Sequence, residues 1–189
     1  AGGNTAVGND ALYANTTGSA NTAVGSLALD ANTTAANNTA LGYNALTLNT
    51  TGAQNVGLGA YALQANTTAS YNVGIGYNTL GATTTGQQNV AIGGEAMDAN
   101  TTGGYNVAIG TSALGANTTA AKNTAVGTSA LAANTTGAEN TALGQNAGSS
   151  VTTGPSNTMI GYHAGIHSVA TTTGGQNVLL GAYAHTTTD

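Results

Sequence analysis

Residues 106–122 read NVAIGTSALGANTTAAK, and the seventeen that follow, 123–139, read NTAVGTSALAANTTGAE. The same unit, Asn-[Thr/Val]-x-[Val/Ile/Leu]-Gly-x-x-Ala-Leu-x-Ala-Asn-Thr-Thr-[Gly/Ala]-x-x, starts at Asn4, Asn21, Asn38, Asn55, Asn72, Asn89, Asn106, Asn123, Asn140 and Asn157. These starts are 17 residues apart, and a further start at Asn177 follows after 20. A unit of this length holds too little apolar surface to fold alone, so the units must stack on one another as in a solenoid. Helical repeats need about 33 residues per unit. Here Gly recurs at the fifth position of every unit, which argues against helix.

The segment Thr5-Ala6-Val7-Gly8 and its equivalents alternate in character with period two, as a strand does, and the following glycine marks a sharp turn. The expected fold is all-β: a parallel β-solenoid of about eleven coils with a 17-residue repeat. Stacked at the strand spacing of about 4.8 Å, the coils would make a rod on the order of 50 Å long. Regular repeats cover 1–156, and 157–189 form irregular coils with a longer repeat that could act as a joint; the core column changes near this end, at Gly148, Gly165 and His185.

Alternation also sorts the side chains. Ala6, Ala23, Ala40, Gly57 and Gly74 suit the cramped interior of a narrow coil, and the column Leu12, Leu29, Leu46, Leu63, Leu80, Met97, Leu114 and Leu131 closes it. Val7, Val24, Leu41, Leu58, Ile75, Ile92, Ile109, Val126, Leu143 and Ile160 then form an outward apolar column, which reads as a self-association surface. The opposite assignment, with the valines inside and the alanines in water, would give a self-sufficient monomer.

Composition narrows the function. Charged residues make up 4 % of the chain, against about 25 % in an ordinary domain. The formal charge is −5, with Lys122 the single Lys or Arg, so phosphate-backbone recognition lacks its clustered cations and nucleic acid is not an expected partner. No apolar run approaches the roughly 18 residues of a membrane span. There is no Cys, hence no disulfide or thiolate metal site. Plentiful Thr and Asn with scarce Lys fit an extracellular or cell-surface location.

The recurring N-T-A-V-G and N-V-A-I-G segments, as in Asn21 to Gly25 and Asn106 to Gly110, resemble the head repeats of trimeric autotransporter adhesins. The whole unit is similar to arrays in bacterial and phage tail-fibre-like proteins. The resemblance spans nearly the whole chain and implies a left-handed β-roll whose Val/Ile column packs at a three-fold axis, and a role in surface attachment or fibre building.

Two Asn series would stack into columns: the residues opening each unit, and Asn15, Asn32, Asn49, Asn66, Asn100, Asn117 and Asn134 in the N-T-T triplets. Such columns pass amide hydrogen bonds between coils and satisfy backbone groups at bends. The triplets also match the N-glycosylation acceptor pattern, giving a glycan row as a second reading. Paired threonines such as Thr16-Thr17 and Thr135-Thr136 suggest ice binding, although adjacent strand residues face opposite ways and leave one Thr displayed per coil. Tyr43, Tyr61, Tyr77 and Tyr162 offer aromatic faces for sugars.

No catalytic set is evident. Asp10, Asp30, Glu95, Asp98, Glu139 and Asp189 fall at differing repeat positions, with Glu139 placed to pair with Lys122 one coil away. His163, His167 and His185 have no accompanying carboxylate or Cys to make a metal site. The expected function is an extracellular structural or adhesive fibre element without enzymatic activity or cofactor. Its partners would be copies of itself, as a trimer or filament, and surfaces or glycans. The alternatives are an ice-binding solenoid and a phage receptor-binding shaft. Only Ala1-Gly2-Gly3 precede the first unit and the last, Asn177 to Asp189, is short, so one chain's end is expected to continue head to tail into the next chain's beginning.

Overall fold

The computed structural model describes residues 2–166 and 172–186. Eleven three-residue strands form one parallel sheet in chain order: β1 (Thr5–Val7), β2 (Thr22–Val24), β3 (Thr39–Leu41), β4 (Val56–Leu58), β5 (Val73–Ile75), β6 (Val90–Ile92), β7 (Val107–Ile109), β8 (Thr124–Val126), β9 (Thr141–Leu143), β10 (Thr158–Ile160) and β11 (Val178–Leu180). Each strand is the second to fourth residue of a repeat and lies against its equivalent one coil on, as Val107 does against Thr124. The chain is a β-solenoid with a 17-residue coil, as the repeat predicts.

The register persists through the 20-residue unit, where Thr158 still faces Val178. Outside the strands, backbone bonds continue from coil to coil: Leu29 N–H donates to Ala45 O at 3.1 Å and Ala31 N–H to Thr47 O at 3.0 Å. Backbone groups around the coil are thus paired with its neighbours, which is what permits so thin a core.

The turn at the fifth position demands glycine. From Gly8 to Gly181 these residues have φ between 116° and 140°, a region costly to any residue with a Cβ. The ninth position is less expected: Leu12, Leu29, Leu46, Leu63, Leu80, Met97, Leu114 and Leu131 adopt φ between 52° and 56°. A left-handed conformation costs an L-residue about 1–2 kcal/mol. Burying a leucine returns about 1.5–3 kcal/mol, so the corner holds because it turns a large side chain into the coil. Seven of these eight have no exposure at all, Leu12 in the first coil being slightly open.

Ala23, Ala40, Ala91, Ala108, Ala125 and Ala142 of the strand centres are fully buried against the leucines, together with the eighth-position alanines such as Ala28 and Ala113. The C-terminal coils keep this core by moving its bulk. Met159 and Leu179 replace alanine at the strand centre, while Gly148 and Gly165 replace leucine at the corner. A Cβ on Gly148 would lie 2.8 Å from Met159 Cε, and one on Gly165 2.8 Å from Met159 Sδ. One large side chain per layer fits, from either wall.

Candidate functional site

With the small residues inside, the larger aliphatics of β1–β11 stand on the outer face of the sheet. Val7 is 58 %, Leu41 49 % and Ile109 38 % exposed. Leu143 and Ile160 are likewise exposed, and Val24, Leu58, Ile75, Ile92 and Val126 are half-buried against their neighbours in the row. The second position completes the ribbon. It is Val in β4 to β7 and β11, and Thr in the other strands. That choice follows the residue closing the preceding coil. Val56, Val73, Val90, Val107 and Val178 come two residues after Gln54, Tyr71, Gln88, Tyr105 and Gln176, whereas Thr follows Gly3, Ala20, Asn37, Lys122, Glu139 and Ser156. The central coils therefore carry a continuous apolar field bounded on one edge by Tyr and Gln, larger than scattered surface aliphatics would make.

Both Asn series lie inside the coil. The unit-opening Asn residues accept from the backbone of the next coil and most donate across their own: Asn38 N–H bonds Asn21 Oδ1 at 2.9 Å, while Asn21 Nδ2 donates to Ala35 O at 2.8 Å; Asn123 Nδ2 is the exception, buried without a partner. In the triplet column, Asn49 Nδ2 donates both to Asn32 Oδ1 at 3.1 Å and to Gly52 O at 2.9 Å. Asn32, Asn49, Asn66, Asn100, Asn117 and Asn134 have no exposed surface, and the amide of Asn15 in the first coil is bonded to Gly18 O. The glycan row is corrected by this placement: the nitrogens that would carry sugars are occupied, and six of the seven are shut inside the coil.

The triplet column is interrupted by Thr83 and Val151. The coil before each interruption pays for it, since Asn66 Oδ1 and Asn134 Oδ1 are buried without a hydrogen-bond partner; Asn117 Oδ1 is orphaned too, below the unbroken step to Asn134. Thr83 Oγ1 accepts from Asn100 Nδ2 at 3.2 Å, leaving Asn66 with no amide donor above it. Thr83→Asn should therefore raise stability by about 1 kcal/mol. The expected sign is a higher urea midpoint at unchanged m-value; a lower midpoint would mean that Asn66 is satisfied in another way.

The paired threonines divide by role. The hydroxyl of the first bonds the next coil's backbone, as Thr50 Oγ1 does to Thr67 O at 3.0 Å and Thr101 Oγ1 to Thr118 O at 3.0 Å. The second, Thr17, Thr34, Thr51, Thr68, Thr85, Thr102, Thr119, Thr136 and Thr153, is exposed in nine consecutive coils. One Thr per coil is thus displayed from the second coil on; the pair sits in a bend outside the strands, so the path of the turn and not strand alternation sets which one faces water.

Tyr43, Tyr61 and Tyr77 pack edge to face in successive coils, with centroids 5.4 and 5.8 Å apart. Tyr162 joins His163 and Tyr183 in a second cluster, in which the His163 and Tyr183 rings stack at 5.3 Å. A hydrogen bond with Tyr162 holds the Tyr183 phenol above its ordinary pKa. Sequence reading passed over Tyr71 and Tyr105, which are 54 % and 59 % exposed at the ends of their coils. The signal that could have found them is the run Gln54, Tyr71, Gln88, Tyr105 at one repeat position, tied to Val two residues on.

Lys122 Nζ lies 3.3 Å from Glu139 Oε1, the inter-coil pair expected, and both side chains are too exposed for it to add much stability. Burial raises the pKa of Asp98 above the usual carboxylate value, and Glu95 nearby adds to the effect. His167 and Asp189 lie outside the described residues. Among the described residues no three His, Cys, Asp or Glu side chains gather as a metal site, and no helix is long and apolar enough to cross a membrane.

This geometry defines a class, a repetitive β-solenoid with an apolar outer ribbon. No protein-family model, curated protein or solved structure matches the chain.

Proposed function

We propose that the protein is an extracellular structural or adhesive fibre element, non-enzymatic, whose chains associate through the Val/Leu/Ile ribbon of β1–β11. The observation that carries this reading is the inversion of the sheet: alanine and glycine face the core, while valine, leucine and isoleucine face outward along the whole row. A free-standing coil gains nothing from such a ribbon. A second copy laid against it would remove from water a surface worth about 25 cal/mol per Å². The regular rise of one strand spacing per coil lets two or three copies meet in register over their length, and the adhesin-like segments favour three chains about one axis. The chain's scarce charge leaves few solvated side chains to oppose that contact.

Sedimentation of the wild-type chain at micromolar concentration should give a discrete oligomer. A folded monomer over the whole accessible concentration range would overturn the proposal.

The row of exposed threonines from Thr17 to Thr153 favours a second reading, ice binding, because its hydroxyls and methyls recur at one strand spacing on nine coils. Thermal hysteresis and shaping of ice crystals would support it; neither, at high protein concentration, would dismiss it.

A further inference from the structure

We propose that the edge built from Tyr71, Gln88 and Tyr105 is a binding platform for a neutral β-1,4-linked hexose polymer lying parallel to the rod. This names a ligand class for the adhesive side of the proposed function and does not depend on how many chains associate.

The three residues close consecutive coils. Their backbones are held by one ladder, Tyr71 N–H donating to Ala53 O at 3.2 Å, Gln88 N–H to Ser70 O at 3.3 Å and Tyr105 N–H to Gln87 O at 3.0 Å. All three share the left-handed conformation, with φ of 64°, 58° and 61°, so the side chains leave the rod from equivalent positions. The tyrosines are consequently two strand spacings apart, about 10 Å. That is close to the disaccharide repeat of a β-1,4-linked hexose chain, in which every second ring presents the same C–H face. Aromatic side chains offer a large apolar surface with a polar tip, the combination a pyranose face with its peripheral hydroxyls requires.

Gln88 stands between the rings with donors and an acceptor on one exposed amide, and its Nε2 reaches Tyr105 Oη at 3.5 Å. An open groove lies between Tyr71 and Gln88. Gly104, next to Tyr105, carries no side chain; a Cβ there would come within 2.9 Å of Gln87 O and crowd the backbone of the neighbouring coil.

Neither Tyr71 nor Tyr105 packs against another aromatic ring among the described residues, in contrast to the mutually engaged Tyr43, Tyr61 and Tyr77. Free rings are the ones able to stack on a ligand. The ligand is neutral because the nearest cation on this edge, Lys122, is paired with Glu139.

The test is titration of the full chain with cello- and chito-oligosaccharides of two to six sugars, followed by calorimetry and tyrosine ring resonances, with sedimentation and circular dichroism on the same samples. Affinity should climb steeply between the disaccharide and the trisaccharide, the first length able to cover both rings. Tyr71→Ala and Tyr105→Ala should each weaken hexasaccharide binding at least about tenfold. Gln88→Ala should weaken it less, and Tyr43→Ala should leave it unchanged, all with wild-type dichroism and assembly. No binding of either hexasaccharide at millimolar concentration would overturn the proposal, as would an equal loss in Tyr43→Ala. Because assembly is read separately, a failed platform with intact oligomers leaves the fibre reading standing, and the reverse result leaves the platform.

Discussion

Gly110→Ala is expected to disrupt the central coils, lowering stability by several kcal/mol. The φ of Gly110 is 132°, where a side chain is strained by about 1–3 kcal/mol. The added Cβ would also lie 2.6 Å from both C and O of Gly127 and 2.8 Å from Thr128 N. Those atoms are backbone and cannot swing aside, because Gly127 N–H is itself bonded to Ile109 O at 2.7 Å. Overpacking adds about 1–3 kcal/mol, and the total is a large share of the 5–15 kcal/mol that typically holds a domain together. The comparison variant is Gly103→Ala. Its Cβ would meet Ala120 O, an even closer approach. Yet Ala35, Ala69 and Ala120 occupy the same repeat position in other coils and are buried there, so that wall adjusts by a small shift. Urea denaturation of the two variants separates the effects. A large fall in midpoint is expected for Gly110→Ala and a small one for Gly103→Ala; equal falls would show that the fifth-position turn is not the special element.

The same pair of glycines marks how far the fold could be read from residues alone. Gly at the fifth position recurs without exception, and the 17-residue spacing, the strand Val107–Ile109 and the inward alanines follow from it by alternation. The left-handed leucines could not be read that way. Propensity and periodicity describe what a residue prefers locally, whereas Leu114 at φ 53° is held by burial in a corner that exists only once the coils stack. The triplet asparagines posed the same difficulty. N-T-T is equally a surface acceptor and an interior ladder, and only the path of the turn directs Asn117 inward to Ala120 O and Asn100 Oδ1. The outward Val/Ile ribbon was legible because alanine and valine alternate. The platform at Tyr71 and Tyr105 was not, since it appears when residues 34 apart are seen to share an edge.

Joint replacement of Val107 and Ile109 by Asp should dissociate the assembly while leaving the coil folded. Both side chains leave the outer face of β7, with Ile109 38 % exposed, and neither contributes to the buried column of Ala108 and Leu114. For an isolated chain the substitution costs no more than strand preference, about 1 kcal/mol. Across an interface the same carboxylates would be removed from water without partners, at several kcal/mol each, and symmetry would bring them against copies of themselves. The dissociation constant should therefore rise at least about a hundredfold at neutral pH, seen as a shift to monomer in sedimentation with an unchanged β spectrum. Acid supplies the internal check. An exposed Asp is protonated below its ordinary pKa of about 3.9, so the variant should recover association as pH falls towards 3 and lose it again as pH rises. Dissociation that persists in acid would point to misfolding of β7. A variant as assembled as the wild type at neutral pH would place the contact on another face and remove the ribbon from the proposed function.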